Sequence, residues 1–217
     1  MNEQLNISKN SRTAPFPAKT FKLGVCWLIA DWRHGWREGN FPFLFVQIAP
    51  FRGLGPEIRE AQFLTLQQSP ATAMVVTTDV GDANAIHPAR KAPVGARLAL
   101  AAEALAYGKR IEYSGPLFSA LKIKGHRAVV HFAHVDGGLV ARNGPLKGFT
   151  IAGADGRFVP AQAVIQDRTV VVSSADVVSP VAVRYGWANV PEVNLFNQAG
   201  LPASPFRSDG QENAKTP

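Results

Sequence analysis

The sequence has a single cysteine and no long hydrophobic run, and each shortage excludes a class of protein. One thiol, Cys26, cannot form an intrachain disulfide or a cysteine-based zinc cluster. Apolar runs such as residues 43–48 are the length of a strand, and none approaches the ~18 residues that a membrane-spanning helix needs. The first twenty residues lack the apolar segment of a secretion signal, so we expect no such signal in the sequence as given. These residues are rich in Asn, Ser, Lys and Pro, and we expect them to be disordered.

Clusters of basic residues are also lacking, although the formal net charge is +7. Lysines and arginines are scattered, and no repeat alternates them with aromatic residues, which argues against binding to nucleic acid or to a membrane surface. The hydrophobic and charged fractions, 46% and 18%, are ordinary for a globular protein.

The two halves of the chain differ in the period of their apolar residues. Before residue 110 the pattern predicts helix, strand, helix, strand, loop and helix, which indicates an α/β fold with a parallel sheet. In the first helix we expect Leu28, Ile29, Trp32 and Trp36 to form the buried face, with Gly39 ending the helix. After residue 110, short alternating runs separated by Gly, Asp and Pro predict a small antiparallel β-sandwich. The predicted domains are a disordered segment 1–20, a partial α/β domain 21–110, a β-sandwich domain 111–208 and a disordered tail 209–217.

The loop after the second predicted strand, "TTDVGDANAIHPARKAPVG", contains the main candidate for catalysis. His87 would lie at the carboxyl end of a parallel strand, where reactive groups of such sheets collect. A catalytic histidine needs an acceptor that fixes its tautomer, and Asp79 and Asp82 are both near enough in sequence to supply it. The alternative is ordinary turn chemistry, in which Asp and Asn accept bonds from backbone amides. One His with two Asp lacks the paired ligands of a zinc site, so we expect no metal.

Seven stretches together resemble the sialate O-acetylesterase family, serine esterases of the SGNH-hydrolase type. They extend from about residue 24 to residue 208: "LIADWRHGWREGNFPFLFVQIAPF", "IREAQ", "TAMVVTTDVGDANAIHPARKAPVGARLAL", "YSGPL", "NGPLKGFTIAG", "PVAVRYGWAN" and "NLFNQAGLPASPFR". The resemblance implies a three-layer α/β hydrolase domain with an additional β-domain. It also implies hydrolysis of O-acetyl esters of sialic acid without a cofactor, in a family that is commonly exported.

The resemblance assigns His87 as the catalytic base. The family often has an aspartate two residues before this histidine, where this chain has Ala85, and the wider SGNH pattern has its acid three before, where this chain has Asn84. We therefore favour Asp82 as the orienting acid and interpret Asp79 as a structural residue at the strand end.

The family's nucleophile is missing from the 217 residues. Neither the "GQSN" motif that holds the serine nor the "WYQGE" motif near the oxyanion site occurs, and "KLGVCWLIADWR" resembles a junction left by an internal deletion. The remaining candidates, better explained by turn or capping chemistry, are Ser69, Ser173, Ser174 and Ser179. Since one oxyanion donor alone contributes ~10²–10³ in rate, we expect the chain to be inactive or weakly active.

Two further hypotheses follow from this absence. Another chain could supply the serine half, and apolar surface left uncovered along residues 43–48 and 74–77 would fit that hypothesis. Alternatively, the chain is a carbohydrate-binding or interaction module without catalysis. In that case Tyr185 and Trp187 could stack on a sugar while Asn189 bonds its hydroxyls, unless these residues fill the junction between the two halves.

Overall fold

The first half is a small α/β unit built around two parallel strands. The computed structural model describes residues 18–210, with side chains in the first helix from Gly24 onward. Strands β1 and β2 pair in parallel from Phe43↔Thr72 to Val46↔Val75. The predicted order of helices and strands is confirmed. The elements are α1 (Ala18–Trp36), β1 (Phe43–Val46), α2 (Pro56–Gln68), β2 (Thr72–Val75) and α3 (Ala92–Leu105).

Helix α1 buries a different face from the one that its sequence predicts. Ile29 and Arg33 are buried, whereas Trp32 and Trp36 are 44% and 64% exposed. The Arg33 guanidinium donates to the carbonyls of Phe41 (2.7 Å) and Ala71 (3.3 Å), so the helix is fixed to the residues just before the two strands. The prediction was therefore wrong for Leu28, Trp32 and Trp36, because a sheet of only two strands offers no second surface for them.

The aromatic side chains of α1 continue onto the start of β1. Trp32 and Trp36 stack with their ring centres 6.0 Å apart, Trp36 stacks on Phe41 at 5.3 Å, and Trp32 lies against Phe43 at 5.8 Å. We call these four residues the aromatic surface. Helix α1 begins at Ala18, so residues 18–20 are helical and not part of a disordered segment, whereas residues 1–17 lie outside the described part. No helix between residues 18 and 210 is long and apolar enough to cross a membrane.

The outer edge of β1 is paired by one side chain in place of a third strand. Gln62 of α2 accepts a bond from the Ile48 amide (2.8 Å) and donates one to the Val46 carbonyl (3.1 Å). Val46 is still 37% exposed, and the rest of β1 is half-buried. The expectation of uncovered apolar surface is thus confirmed for β1. It was wrong for residues 74–77, which are buried beneath the neighbouring helices.

The second half consists of antiparallel sheets with a common core, as predicted for a sandwich. One four-stranded sheet has the order β3-β4-β9-β8, the other has the order β12-β10-β6-β7, and β11 pairs with β5. Val130 and Val172 of the first sheet and Ile151 and Val183 of the second belong to one fully buried cluster. The strands are β3 (Leu117–Lys124), β4 (Arg127–Ala133), β5 (Leu139–Ala141), β6 (Phe149–Ala152), β7 (Val159–Pro160), β8 (Gln162–Gln166), β9 (Thr169–Ser173), β10 (Ala182–Tyr185), β11 (Leu195–Asn197) and β12 (Phe206–Arg207).

Buried polar contacts join the two halves. Glu60 of α2 accepts two bonds from the Arg207 guanidinium of β12, at 2.7 and 2.9 Å. The Gln47 amide donates to the Arg59 carbonyl (3.1 Å) and to the Ser204 hydroxyl (3.0 Å). Arg59 itself is fully buried, and desolvation lowers its pKa to about 10 although Glu57 acts in the opposite direction. The α/β unit is therefore attached to the β-sandwich through α2 and the loop after β1.

Candidate active site

The loops that follow the two parallel strands meet at the carboxyl edge of the sheet. The Thr77 hydroxyl donates to the Gln47 carbonyl (2.7 Å), and the Arg52 amide donates to the Ala83 carbonyl (3.1 Å). A Cβ atom on Gly81 would lie 2.4 Å from Pro50 Cδ, so this close approach requires glycine. The loop that contains His87 is thereby held at the edge where parallel sheets place their reactive groups.

Asp79 is committed to an ion pair with α3. Its two carboxylate oxygens accept bonds from the Arg97 guanidinium at 2.7 and 2.6 Å, and the same guanidinium donates to the Val76 carbonyl at 2.9 Å. The Arg97 side chain is only 10% exposed. This contact joins the start of α3 to the end of β2.

Asp82 and His87 lie at the solvent-exposed part of the same loop. Asp82 Oδ1 accepts a bond from the Asn84 amide at 2.8 Å, and its side chain is exposed. His87 is exposed between the exposed Ile86 and the buried Pro88. Among residues 24–210, no hydrogen bond joins the His87 ring to either aspartate or to any hydroxyl. The base and the candidate acid are therefore on the same loop, but no described side chain forms a hydrogen bond with the imidazole.

None of the candidate serines lies within hydrogen-bond distance of His87. Ser69 ends α2 and its hydroxyl lies 3.7 Å from Cys26 Sγ. Ser173 ends β9, and the Ser174 hydroxyl accepts a bond from the Asp176 amide at 3.4 Å. Ser179 lies on the exposed surface of the β-sandwich. These positions agree with turn and capping roles.

Arg52 and Asn84 belong to the same edge and were missed by the sequence reasoning. The Arg52 guanidinium donates to the Asn84 side-chain oxygen at 2.6 Å, and the Asn189 amide donates to the Arg52 carbonyl at 2.7 Å. Asn84 was visible within the quoted loop, but its partner lies 32 residues earlier. Polar groups therefore meet at this edge from the loop after β1 (Arg52), the loop after β2 (Asn84) and the β-sandwich (Asn189).

The segment "YGWAN" fills the junction between the halves more than it offers a sugar platform. Tyr185 is fully buried, and its hydroxyl accepts a bond from the Leu195 amide at 3.0 Å. Burial raises the pKa of Tyr185, opposed by bonds from the Leu195 and Asn194 backbone. Arg59 donates to the carbonyl of Ala188. Tyr185 cannot stack on a ligand, and Trp187 is half-buried beside the guanidinium of Arg207, 5.0 Å from its ring centre.

A histidine–carboxylate pair lies away from His87, in the β-sandwich, beside a cavity of about 620 Å³. His134 Nδ1 lies 2.8 Å from Glu112 Oε1, and the edge of its ring meets Tyr113. Burial raises the pKa of Tyr113, and the charge of Glu112 adds to the effect. The pair joins the connection between α3 and β3 to the end of β4. Within residues 18–210, no group of three or more His, Cys, Asp or Glu side chains is placed to bind a metal ion.

Comparison with known proteins gives the same family as the sequence motifs. No protein-family model matches the chain. Sialate O-acetylesterases from Pongo abelii and Homo sapiens are each 29% identical over 236 residues, which cover 93% of this chain and 43% of the relative. The crystal structure of a carbohydrate acetylesterase from Xanthomonas citri superposes with a TM-score of 0.85 at 42% identity. This match covers 89% of this chain and 47% of that one.

The chain thus spans less than half the length of the relatives it matches. Within that span the similarity includes both the α/β unit and the β-sandwich, because it covers about nine-tenths of the chain. The chain belongs to a sialate O-acetylesterase-like family of esterases.

Proposed function

We propose that this chain carries the histidine-bearing half of a carbohydrate O-acetylesterase that hydrolyses O-acetyl esters, those of sialic acid among them. The observation that carries the proposal is the position of His87. It is exposed on the loop after a parallel strand, within a fold that matches a carbohydrate acetylesterase at a TM-score of 0.85. The partial SGNH-type layering expected from the sequence belongs to this proposal, with β1 and β2 as part of a larger parallel sheet.

In this mechanism His87 acts as general base and then as general acid. It takes the proton of a serine hydroxyl while the serine oxygen attacks the acetyl carbonyl, and it returns that proton to the sugar oxygen that leaves. Water, activated by the same imidazole, then attacks the acetyl-enzyme and releases acetate and the free serine. The imidazole is available for these proton transfers because no described side chain forms a hydrogen bond with it.

Asp82 remains our candidate for the orienting acid. Its second carboxylate oxygen makes no hydrogen bond to any described residue, whereas both oxygens of Asp79 are held by Arg97. Catalytic hydrogen bonds are often long or misaligned without substrate and become shorter in the complex. The proposal requires that the exposed loop rearranges and brings the Asp82 carboxylate to the imidazole.

The serine would come from a complementing segment that adds to the open side of β1. Between residues 24 and 210 only Gln62 pairs with this edge, and the aromatic surface lies next to the start of the strand. An unpaired strand edge is a template for pairing with another strand. Parallel sheets are also normally covered on both faces, so a complementing segment would complete this sheet. Of this uncovered apolar surface, Val46 lies at the carboxyl end of β1, the end at which the serine is required, whereas the aromatic surface lies at the start of the strand.

The test is complementation with the part of the Xanthomonas citri acetylesterase that this chain does not cover. Acetate release from an O-acetylated sialic acid should be absent with either piece alone and present in the mixture. His87→Ala should abolish the release, because no base remains, whereas Asp176→Ala, a change to an exposed residue of the β-sandwich, should not. A fluorophosphonate label on a serine of this chain alone, with acetate release lost in His87→Ala, would place the nucleophile within the 217 residues and refute the proposal.

A further inference from the structure

A basic groove lies on the outer face of the β3-β4-β9-β8 sheet. Because side chains alternate along a strand, Val130 and Val172 point into the core while their neighbours line the groove. The groove has a volume of about 540 Å³. Its lining includes Lys122, Lys124, Arg127, His131, Asp167 and Thr169.

The cations that line this groove outnumber its carboxylates. Between residues 24 and 210, neither Lys122, Lys124 nor Arg127 forms an ion pair within 4.0 Å, and Asp167 is the only carboxylate among the lining residues. Burial lowers the pKa of His131, and the charges of Lys122 and Lys124 lower it further. The field in the groove is therefore positive at neutral pH.

The position of these charges is unfavourable for the fold itself. Lys124 lies directly opposite Arg127 in the β3–β4 register, on either side of the hairpin turn. Like charges placed opposite each other across a strand pair are destabilising. Unfavourable contacts that the fold does not need are typical of functional surfaces. Here a bound anion would relieve the repulsion between Lys124 and Arg127.

We propose that this groove binds an anionic polysaccharide that carries carboxylate groups along its chain. Lys122 and Lys124 are two residues apart on one strand, so their side chains leave the sheet roughly 7 Å apart and form a row suited to an extended polyanion. Val129 and Val171 form an aliphatic floor, and the Gln166 amide and Thr169 hydroxyl can bond sugar hydroxyls.

The lining of the groove favours a polysaccharide over the other common polyanions. It contains no Phe, Tyr or Trp side chain among the described residues, whereas proteins that bind single-stranded nucleic acid stack bases on aromatic rings. The choice of a polysaccharide also rests on the proposed function, since an acetylesterase of carbohydrates needs to hold its substrate away from the reacting ester. The groove would then be an anchoring site on the β-sandwich, separate from His87.

The test compares two variants of equal charge. Lys122→Glu/Lys124→Glu changes the groove, and Lys147→Glu/Arg157→Glu changes exposed cations near the other sheet, so that each lowers the net charge by four. Binding of the full chain to immobilised polygalacturonate is measured by interferometry at 50 and 300 mM NaCl, with dextran as the neutral polymer. We expect the groove variant to bind at least tenfold more weakly, the control variant to change less than twofold, and dextran not to bind.

Equal losses in the two variants would show that only net charge matters and would refute the groove. Groove-dependent binding to vesicles of anionic phospholipid, without binding to polygalacturonate, would also refute it. Thermal unfolding midpoints of both variants equal to that of the original chain exclude misfolding as the cause. If complementation fails to release acetate while the groove-dependent binding persists, the proposed function falls and the binding site stands.

Discussion

At the residue scale, two aspartates of one loop, Asp79 and Asp82, differ in their exposure and in their hydrogen-bond partners. Asp79 is paired through both oxygens with an Arg97 side chain that is 10% exposed, whereas Asp82 is exposed and accepts one backbone bond. A buried guanidinium that loses its carboxylate keeps its charge and its desolvation cost. The two aspartates should therefore differ in whether they contribute to stability or to activity.

We expect Asp79→Ala to lower the free energy of unfolding by about 2–3 kcal/mol, because Arg97 would keep only its bond to the Val76 carbonyl. Asp82→Ala should change that free energy by about 0.5 kcal/mol or less, since the site is exposed. Urea denaturation followed by circular dichroism measures both. In the complementation assay Asp82→Ala should reduce acetate release. Equal stability losses in the two variants would contradict the division of roles.

The sequence predicted these residues because they are local to one loop, and it could not predict their partners. Motif and strand pattern place His87, Asp79 and Asp82 at a strand end. Arg97 lies 18 residues after Asp79, and Arg52 lies 32 residues before Asn84. Contacts over such distances depend on how α3 and the loop after β1 pack, which local periodicity does not describe.

At the element scale, helix α1 was predicted correctly as a helix and wrongly in its orientation. Its period of 3.6 residues allows two adjacent apolar faces, one with Ile29 and one with Trp32 and Trp36. The structure buries the first because Arg33, one turn after Ile29, bonds the carbonyls just before the two strands. The second face remains as an apolar patch continuous with β1, and such patches mark interaction sites or cause association.

We expect the isolated chain to self-associate through the aromatic surface. Trp36→Ser should reduce concentration-dependent light scattering and the fluorescence of a bound apolar dye, because it removes the most exposed ring of the stack. Tyr107→Ser is the matched control, since Tyr107 is 77% exposed and belongs to none of the aromatic contacts among the described residues. If both variants scatter like the original chain, the aromatic surface is not the site of association.

At the scale of the whole molecule, the two halves are coupled through Glu60 and Arg207. The Glu60 side chain is 9% exposed, and its two oxygens accept bonds from Nε and Nη2 of Arg207. The hydrogen bond to Glu60 raises the pKa of Arg207, against a smaller effect of burial. The predicted two-part organisation rested on composition and on the period of the apolar residues. It did not include this junction, because the pair is separated by 147 residues.

Glu60→Ala should destabilise the α/β unit by roughly 1–3 kcal/mol while the β-sandwich keeps its own core. Hydrogen exchange should then become about tenfold faster in β2 and stay unchanged in β9, as a loss near 1.4 kcal/mol implies. Glu192→Ala is the control. Glu192 is 88% exposed, and its ion pair with Lys147 is long, at 3.8 Å, so its loss should change stability little. Equal acceleration in β2 and β9 would show that the halves unfold together.

The same pair sets an order for folding during synthesis. Glu60 leaves the ribosome 147 residues before Arg207, which at about 5–20 residues per second is a delay of roughly 7–30 s. Throughout that interval the α/β unit lacks the last strand to which α2 attaches, and its aromatic surface is open. A nascent chain at this stage is a substrate for chaperones, so its yield in a cell depends on how quickly translation reaches β12.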